Sequence, residues 1–133
     1  MLIRVDPEKP DVGLIGAAAN MARIGQLIVF QTDTIYGVGT SAQSEAGVER
    51  LFSRKNRSTD KPLGVFLSSI NEARNYCIIN DKHIKFLENI WPGPVTCVFK
   101  RRKSTSLWVT PKAEQPPTIA VRIPKSNVVH HLL

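Results

Sequence analysis

The chain has 133 residues, 42% of them apolar, which is enough for one hydrophobic core and too few for two domains. That apolar content excludes wholesale disorder, and no apolar run approaches the length of a membrane span. Eighteen basic against eleven acidic residues give a formal charge of +7, which favours an anionic partner such as a nucleotide, pyrophosphate or RNA without choosing among them.

Leu2 to Val5 reads as a short strand. Asp6, Glu8 and Asp11 break any apolar leader, so a cytoplasmic location is expected. Asp11 is placed to cap a helix from Val12 to about Ile24, with Leu14, Ala17, Ala18, Met21 and Ala22 on one face and Gly25 at its end. Leu27 to Phe30 is a short buried strand. It runs into Thr32, Asp33 and Thr34, then Gly37 and Gly39. Taken locally, those polar residues read first as a capped turn and second as a site at a strand's carboxyl end.

Ser44 caps a helix predicted over 45–53, with Val48, Leu51 and Phe52 as its apolar stripe. A basic stretch follows, carrying Arg54, Lys55, Arg57 and Lys61. Leu63 to Leu67 reads as a strand, Ser69 to Tyr76 as a short helix. Asn80 or Asp81 caps another helix, with Ile84, Leu87 and Ile90 on one face, and Pro92-Gly93-Pro94 stops it. Val95 to Lys100 alternates like a strand, 101–115 is a basic loop, and Thr118 to Ile123 is a further strand. Residues 127–133 begin a helix. The architecture expected is α/β: a twisted, open, mixed sheet with short flanking helices.

Arg122 interrupts an otherwise apolar strand, and a guanidinium there is costly unless it meets an anion. Lys55, Arg57 and Lys61 suit phosphate oxygens, although a solvated basic loop has the same composition. The Lys100–Lys103 run reads as a solvated hairpin, with RNA-backbone contact as the lesser alternative. His83, His130 and His131 have no partners at metal-ligand spacing, so no metal ligand is assigned. Cys77 and Cys97 lie in apolar segments and read as reduced thiols rather than nucleophiles.

Five segments in order, T-D-T-I-Y-G-V-G (32–39), K-N-R (55–57), D-K-P-L (60–63), W-P-G-P-V-T (91–96) and T-I-A-V-R-I-P (118–124), resemble the YrdC/TsaC family of threonylcarbamoyl-AMP synthases. The resemblance implies an open α/β sheet with a positive cleft. It implies that L-threonine, bicarbonate and ATP give L-threonylcarbamoyladenylate, pyrophosphate and water, with Mg2+ accompanying ATP. The product would feed tRNA threonylcarbamoyladenosine synthesis through the downstream threonylcarbamoyl-transfer machinery.

By the same resemblance, Lys55, Arg57, Lys61 and Thr118 would bind ATP. Thr34, Arg122 and Phe66 would bind threonine, while Thr32 and Tyr36 would shape the pocket. Gln31 stands where the family usually has proline. The S-x-N and S-T-V motifs that follow the arginine strand in the family are absent from residues 1–133, so an incomplete YrdC-like domain is expected. Two alternatives stay open: a module binding tRNA or double-stranded RNA through the same positive cleft, and a carbamoyl-phosphate-processing relative, which the absence of zinc-finger cysteines argues against.

Overall fold

A computed structural model describes residues 1–133. Helix α1 spans Val12–Arg23 and α2 spans Glu45–Lys55. Between them lie strands β1 (Ile28–Phe30) and β2 (Gly37–Gly39), which pair antiparallel around the 31–36 loop. Strand β3 (Val65–Phe66), helix α3 (Ile70–Tyr76), a 3-10 turn (Asp81–His83) and α4 (Ile84–Ile90) follow. Strands β4 (Cys97–Lys100) and β5 (Thr118–Arg122) and helix α5 (Asn127–Leu132) complete the chain.

The helix starts follow from their caps. The side chains of Asp11, Ser44, Ser69 and Ser126 accept the Leu14, Gly47, Glu72 and Val129 N–H groups, satisfying donors that each first turn leaves open. Gly25 takes φ +81° just past α1, and Gln26 N–H returns to the Met21 carbonyl at 3.0 Å. Helix α2 runs two residues beyond the expected Ser53 and ends where Asn56 enters the left-handed region at φ 46°. Arg57 N–H then bonds back to Phe52 O at 3.0 Å.

Some expectations fail, and one strand lies outside them. Residues 2–5 form no strand, because nothing pairs with them. Neither Asn80 nor Asp81 caps by its side chain; the Asp81 carboxylate pairs with Arg74 instead. Strand β2 goes unread, because two glycines in three residues give almost no strand propensity. Its glycines make room for the Phe30 ring, which lies 3.2–3.4 Å from where a Cβ would stand at Gly39 or Gly37.

The sheet is mixed, in two small pieces. One is the β1–β2 hairpin. The other has the order β3-β5-β4, with β3 parallel and β4 antiparallel to the central β5. Side chains alternate along β5. Ile119, Val121 and the following Ile123 point into a core with Leu87, Trp91, Leu107 and Val109. Thr118, Ala120 and Arg122 point to the opposite face, where neighbouring Val98 is 66% exposed. One face of this sheet is therefore core and the other is open. An apolar cavity of about 380 Å³ separates the hairpin from β3, bridged by the edge-to-face pair Phe30–Phe66 at 6.2 Å.

Leu87 is 2% exposed at the centre of the core. Leu87→Ala is expected to lower unfolding free energy by about 2–5 kcal/mol, measured by urea denaturation followed by circular dichroism.

Candidate functional site

The open sheet face carries the polar residues of interest at its two ends. Thr118 and Arg122 lie four residues apart on one side of β5, about 13 Å along the strand. Because β3 runs parallel to β5, with Val65 beside Val121, the 57–62 loop enters β3 at the end where Thr118 begins β5. Phe66 pairs with Arg122 at the other end.

At that end Arg122 is held on several sides. Its Nε donates to Gly93 O at 3.0 Å. Nη2 pairs with the Asp33 carboxylate, and both Nη atoms stand 3.4 Å from Thr34 Oγ1. The guanidinium carbon lies 5.5 Å from the Phe66 ring centroid, in cation–π range. The side chains of Arg122 and Asp33 are each 12% exposed, although the Asp33 main chain lies out on the loop. The second Asp33 oxygen accepts Lys125 N–H at 3.0 Å. The anion that an arginine in this strand requires is therefore supplied within the chain, by Asp33.

Gly93 is fixed from the opposite direction. Its N–H donates to Ile123 O at 2.8 Å, and a Cβ there would stand 2.5 Å from Ile90 O. This gives the W-P-G-P segment a physical role: only glycine fits where its carbonyl meets Arg122. In the sequence Asp33 reads first as part of a capped turn and second as part of a strand-end site, and Gly93 carries no ligand signal of its own. The signal for Asp33 was the unexplained buried arginine 89 residues away.

Thr32 is 8% exposed and works as a turn staple, donating to Ile35 O at 2.6 Å and accepting Thr34 N–H at 3.1 Å. Tyr36 is 72% exposed and makes none of the Arg122 hydrogen bonds. A polar cavity of about 420 Å³ opens at the carboxyl ends of β1, β3 and β5, bordered by Thr32, Asp33, Ser68, Lys125, Asn127 and His130. That is where ligands bind in open α/β sheets.

The basic loop at the other end is braced rather than freely solvated. Arg57 Nε donates to Lys61 O at 2.7 Å and Nη2 to Pro62 O at 3.0 Å. Thr110 Oγ1 donates to Thr59 O at 2.8 Å, and Leu63 N–H to Val109 O at 2.7 Å. Lys112 pairs with Asp60 and, through that hydrogen bond, holds its carboxyl below the usual range. Lys55, at the end of α2, and Lys61 remain exposed. The loop thus fixes the main chain that presents these two lysines.

The Lys100–Lys103 run divides. Arg101 Nη2 donates to Leu107 O, its Nη1 is buried without a partner, and burial lowers its pKa. Arg102 Nε donates to Arg74 O at 2.6 Å and Cys77 O at 3.2 Å. Lys100, Lys103 and the Nη groups of exposed Arg102 stay free for a ligand, with Lys100 beside Thr118 on the open face.

No group of three His, Cys, Asp or Glu residues could hold a metal ion. Both cysteines are free thiols. No helix is long and apolar enough to cross a membrane.

An open α/β sheet with an arginine clamp at one end and a braced basic loop at the other defines the class of protein. A family model, Sua5/YciO/YrdC, described as "Telomere recombination", matches residues 20–133. The chain belongs to this family. It is 29% identical over 108 residues to a putative threonylcarbamoyl-AMP synthase of Methanocaldococcus jannaschii, covering 81% of this chain and 50% of that protein. It is 31% identical over 120 residues to the threonylcarbamoyl-AMP synthase of Pyrococcus abyssi, covering 90% of this chain and 34% of that one. The structure of P. abyssi Sua5 complexed with L-threonine superposes with a TM-score of 0.84 at 30% identity, covering 99% of this chain and 38% of that chain. The chain thus spans half or less of the length of these relatives.

Burial pushes the Cys77 thiol up from 9.0 to about 11, against the pull of Arg102 and Arg101, and raises Cys97 as well. A raised thiol pKa favours the neutral form in the fold. Its stabilising contribution is complete below pH 9.0 and is lost as pH rises towards about 11. At pH 8, Ellman's reagent is expected to label Cys77 slowly in the native chain and rapidly in urea.

Proposed function

We propose that this chain carries the threonine-binding and phosphate-gripping parts of a threonylcarbamoyl-AMP synthase, which forms L-threonylcarbamoyladenylate, pyrophosphate and water from L-threonine, bicarbonate and ATP. The observation that carries this reading is the Arg122 cluster. A guanidinium on a side chain 12% exposed, fixed by Gly93 O and Asp33 and flanked by Phe66 and Thr34, is suited to a small carboxylate bearing a hydroxyl. The L-threonine complex of the P. abyssi relative supports threonine as that ligand.

In this reading Arg122 holds the threonine carboxylate, Thr34 Oγ1 contacts the ligand, and Phe66 walls the pocket. Lys55 and Lys61, with Thr118 at the same end of the sheet as the loop, meet the ATP phosphates. Arg57 keeps the loop in shape while adding charge. The amine would combine with bicarbonate to give a carbamate, and a carbamate oxygen would attack the α-phosphorus in line with departing pyrophosphate. Such a reaction needs positioning and charge neutralisation more than a protein nucleophile. Mg2+ would accompany ATP and neutralise part of its phosphate charge. A role in tRNA threonylcarbamoyladenosine formation follows from the same reading. Binding of RNA itself draws less support, because Arg101 is engaged internally and Arg102 is held through its Nε.

Calorimetry with L-threonine tests this directly. Arg122→Ala is expected to weaken binding by at least about tenfold, the equivalent of ~1.4 kcal/mol. Binding unaltered in that variant would refute the carboxylate assignment.

A further inference from the structure

Asp33 and Arg122 face each other with both side chains 12% exposed, so the site's central charge pair is close to neutral. Arg122 is not equally available on every edge. Nε is committed to Gly93 O and Nη2 to Asp33. Nη1 and the second N–H of Nη2 have only the 3.4 Å approaches of Thr34 Oγ1, so they are the donors left for a ligand, Nη1 the less committed. Asp33 is not free to swing away, since its other oxygen holds Lys125 N–H at 3.0 Å. A ligand carboxylate reaching Nη1 therefore enters beside a fixed carboxylate. A plain acid would leave the partly desolvated cluster with a net negative charge. A ligand that also carries an α-ammonium would leave it neutral and give Asp33 a second cation to face.

We propose that Asp33 is a specificity-determining residue: it makes the Arg122 site accept the carboxylate of an amino acid with its α-ammonium and discriminate against the same carboxylate without one. The exclusion works through a like charge held in place, which is how binding sites reject near-isosteres. This inference rests on the reading that L-threonine binds at Arg122.

The test compares L-threonine with 2,3-dihydroxybutanoate of matching configuration, in which a hydroxyl replaces the ammonium, by isothermal titration calorimetry on the wild-type chain, Asp33→Asn and Asp33→Glu. Wild type is expected to prefer L-threonine by at least about tenfold, a preference that Asp33→Glu keeps and Asp33→Asn reduces to about twofold or less. Thermal melting establishes that each variant is folded, and the wild-type comparison stands even if Asp33→Asn is not. Equal affinity of the wild type for both compounds, or an unchanged ratio in folded Asp33→Asn, overturns the role of Asp33 and leaves the threonine reading intact. Failure of the wild type to bind either compound removes the threonine reading and this inference with it.

Discussion

The contact between Asp33 and Arg122 ties together parts of the chain that otherwise belong to different sheets. Asp33 sits on the loop of the β1–β2 hairpin, and Arg122 ends β5 in the three-stranded sheet. A guanidinium at 12% exposure is costly to desolvate, and it is tolerated because its Nε, its Nη2 and one ring face all meet partners. The same contact fixes Lys125 through its N–H, at the start of the segment leading to α5. Removing either partner would strand the other charge, so hairpin, strand and site depend on the pair jointly.

The rest of the site follows from the two-faced sheet. Ile119, Val121 and Ile123 must point into the core, so Thr118, Ala120 and Arg122 must point away from it. The covering helices α3 and α4 contribute Ala73 and Leu87 to the core face alone. The open face ends in Arg122, under the hairpin loop that brings Asp33 and Thr34, and at its other end in the basic loop. In the proposed reading these two ends take an amino acid and a triphosphate, which suits a reaction whose catalysis is mainly positioning.

Local chemistry made much of this legible in the sequence. The caps at Asp11 and Ser44, the stop after Ile90 and most of the apolar strands are written in short-range patterns. The awkward placement of Arg122 announced the need for an anion, which Asp33 supplies. What escaped was non-local. The partner of Arg122 is 89 residues away, and Asp33 reads locally as turn chemistry. Arg101 and Arg102 read as a charge run with Lys100 and Lys103, yet backbone carbonyls of Leu107, Arg74 and Cys77 claim them. The 101–115 segment reads as polar loop, yet Val109 and Thr110 in it brace the basic loop. The five-motif resemblance anticipated the family because it joins such distant pieces; composition and periodicity alone could not.

We place ligand binding at the Arg122 cluster. The most direct measurement follows the Arg122 Nε–H and the backbone amides by proton–nitrogen NMR during titration with L-threonine. Saturable shifts are expected at Arg122 Nε–H, Thr34 and Phe66, with the core amides of α4 unmoved. Shifts confined to the 57–62 loop, or none at Arg122, would contradict it.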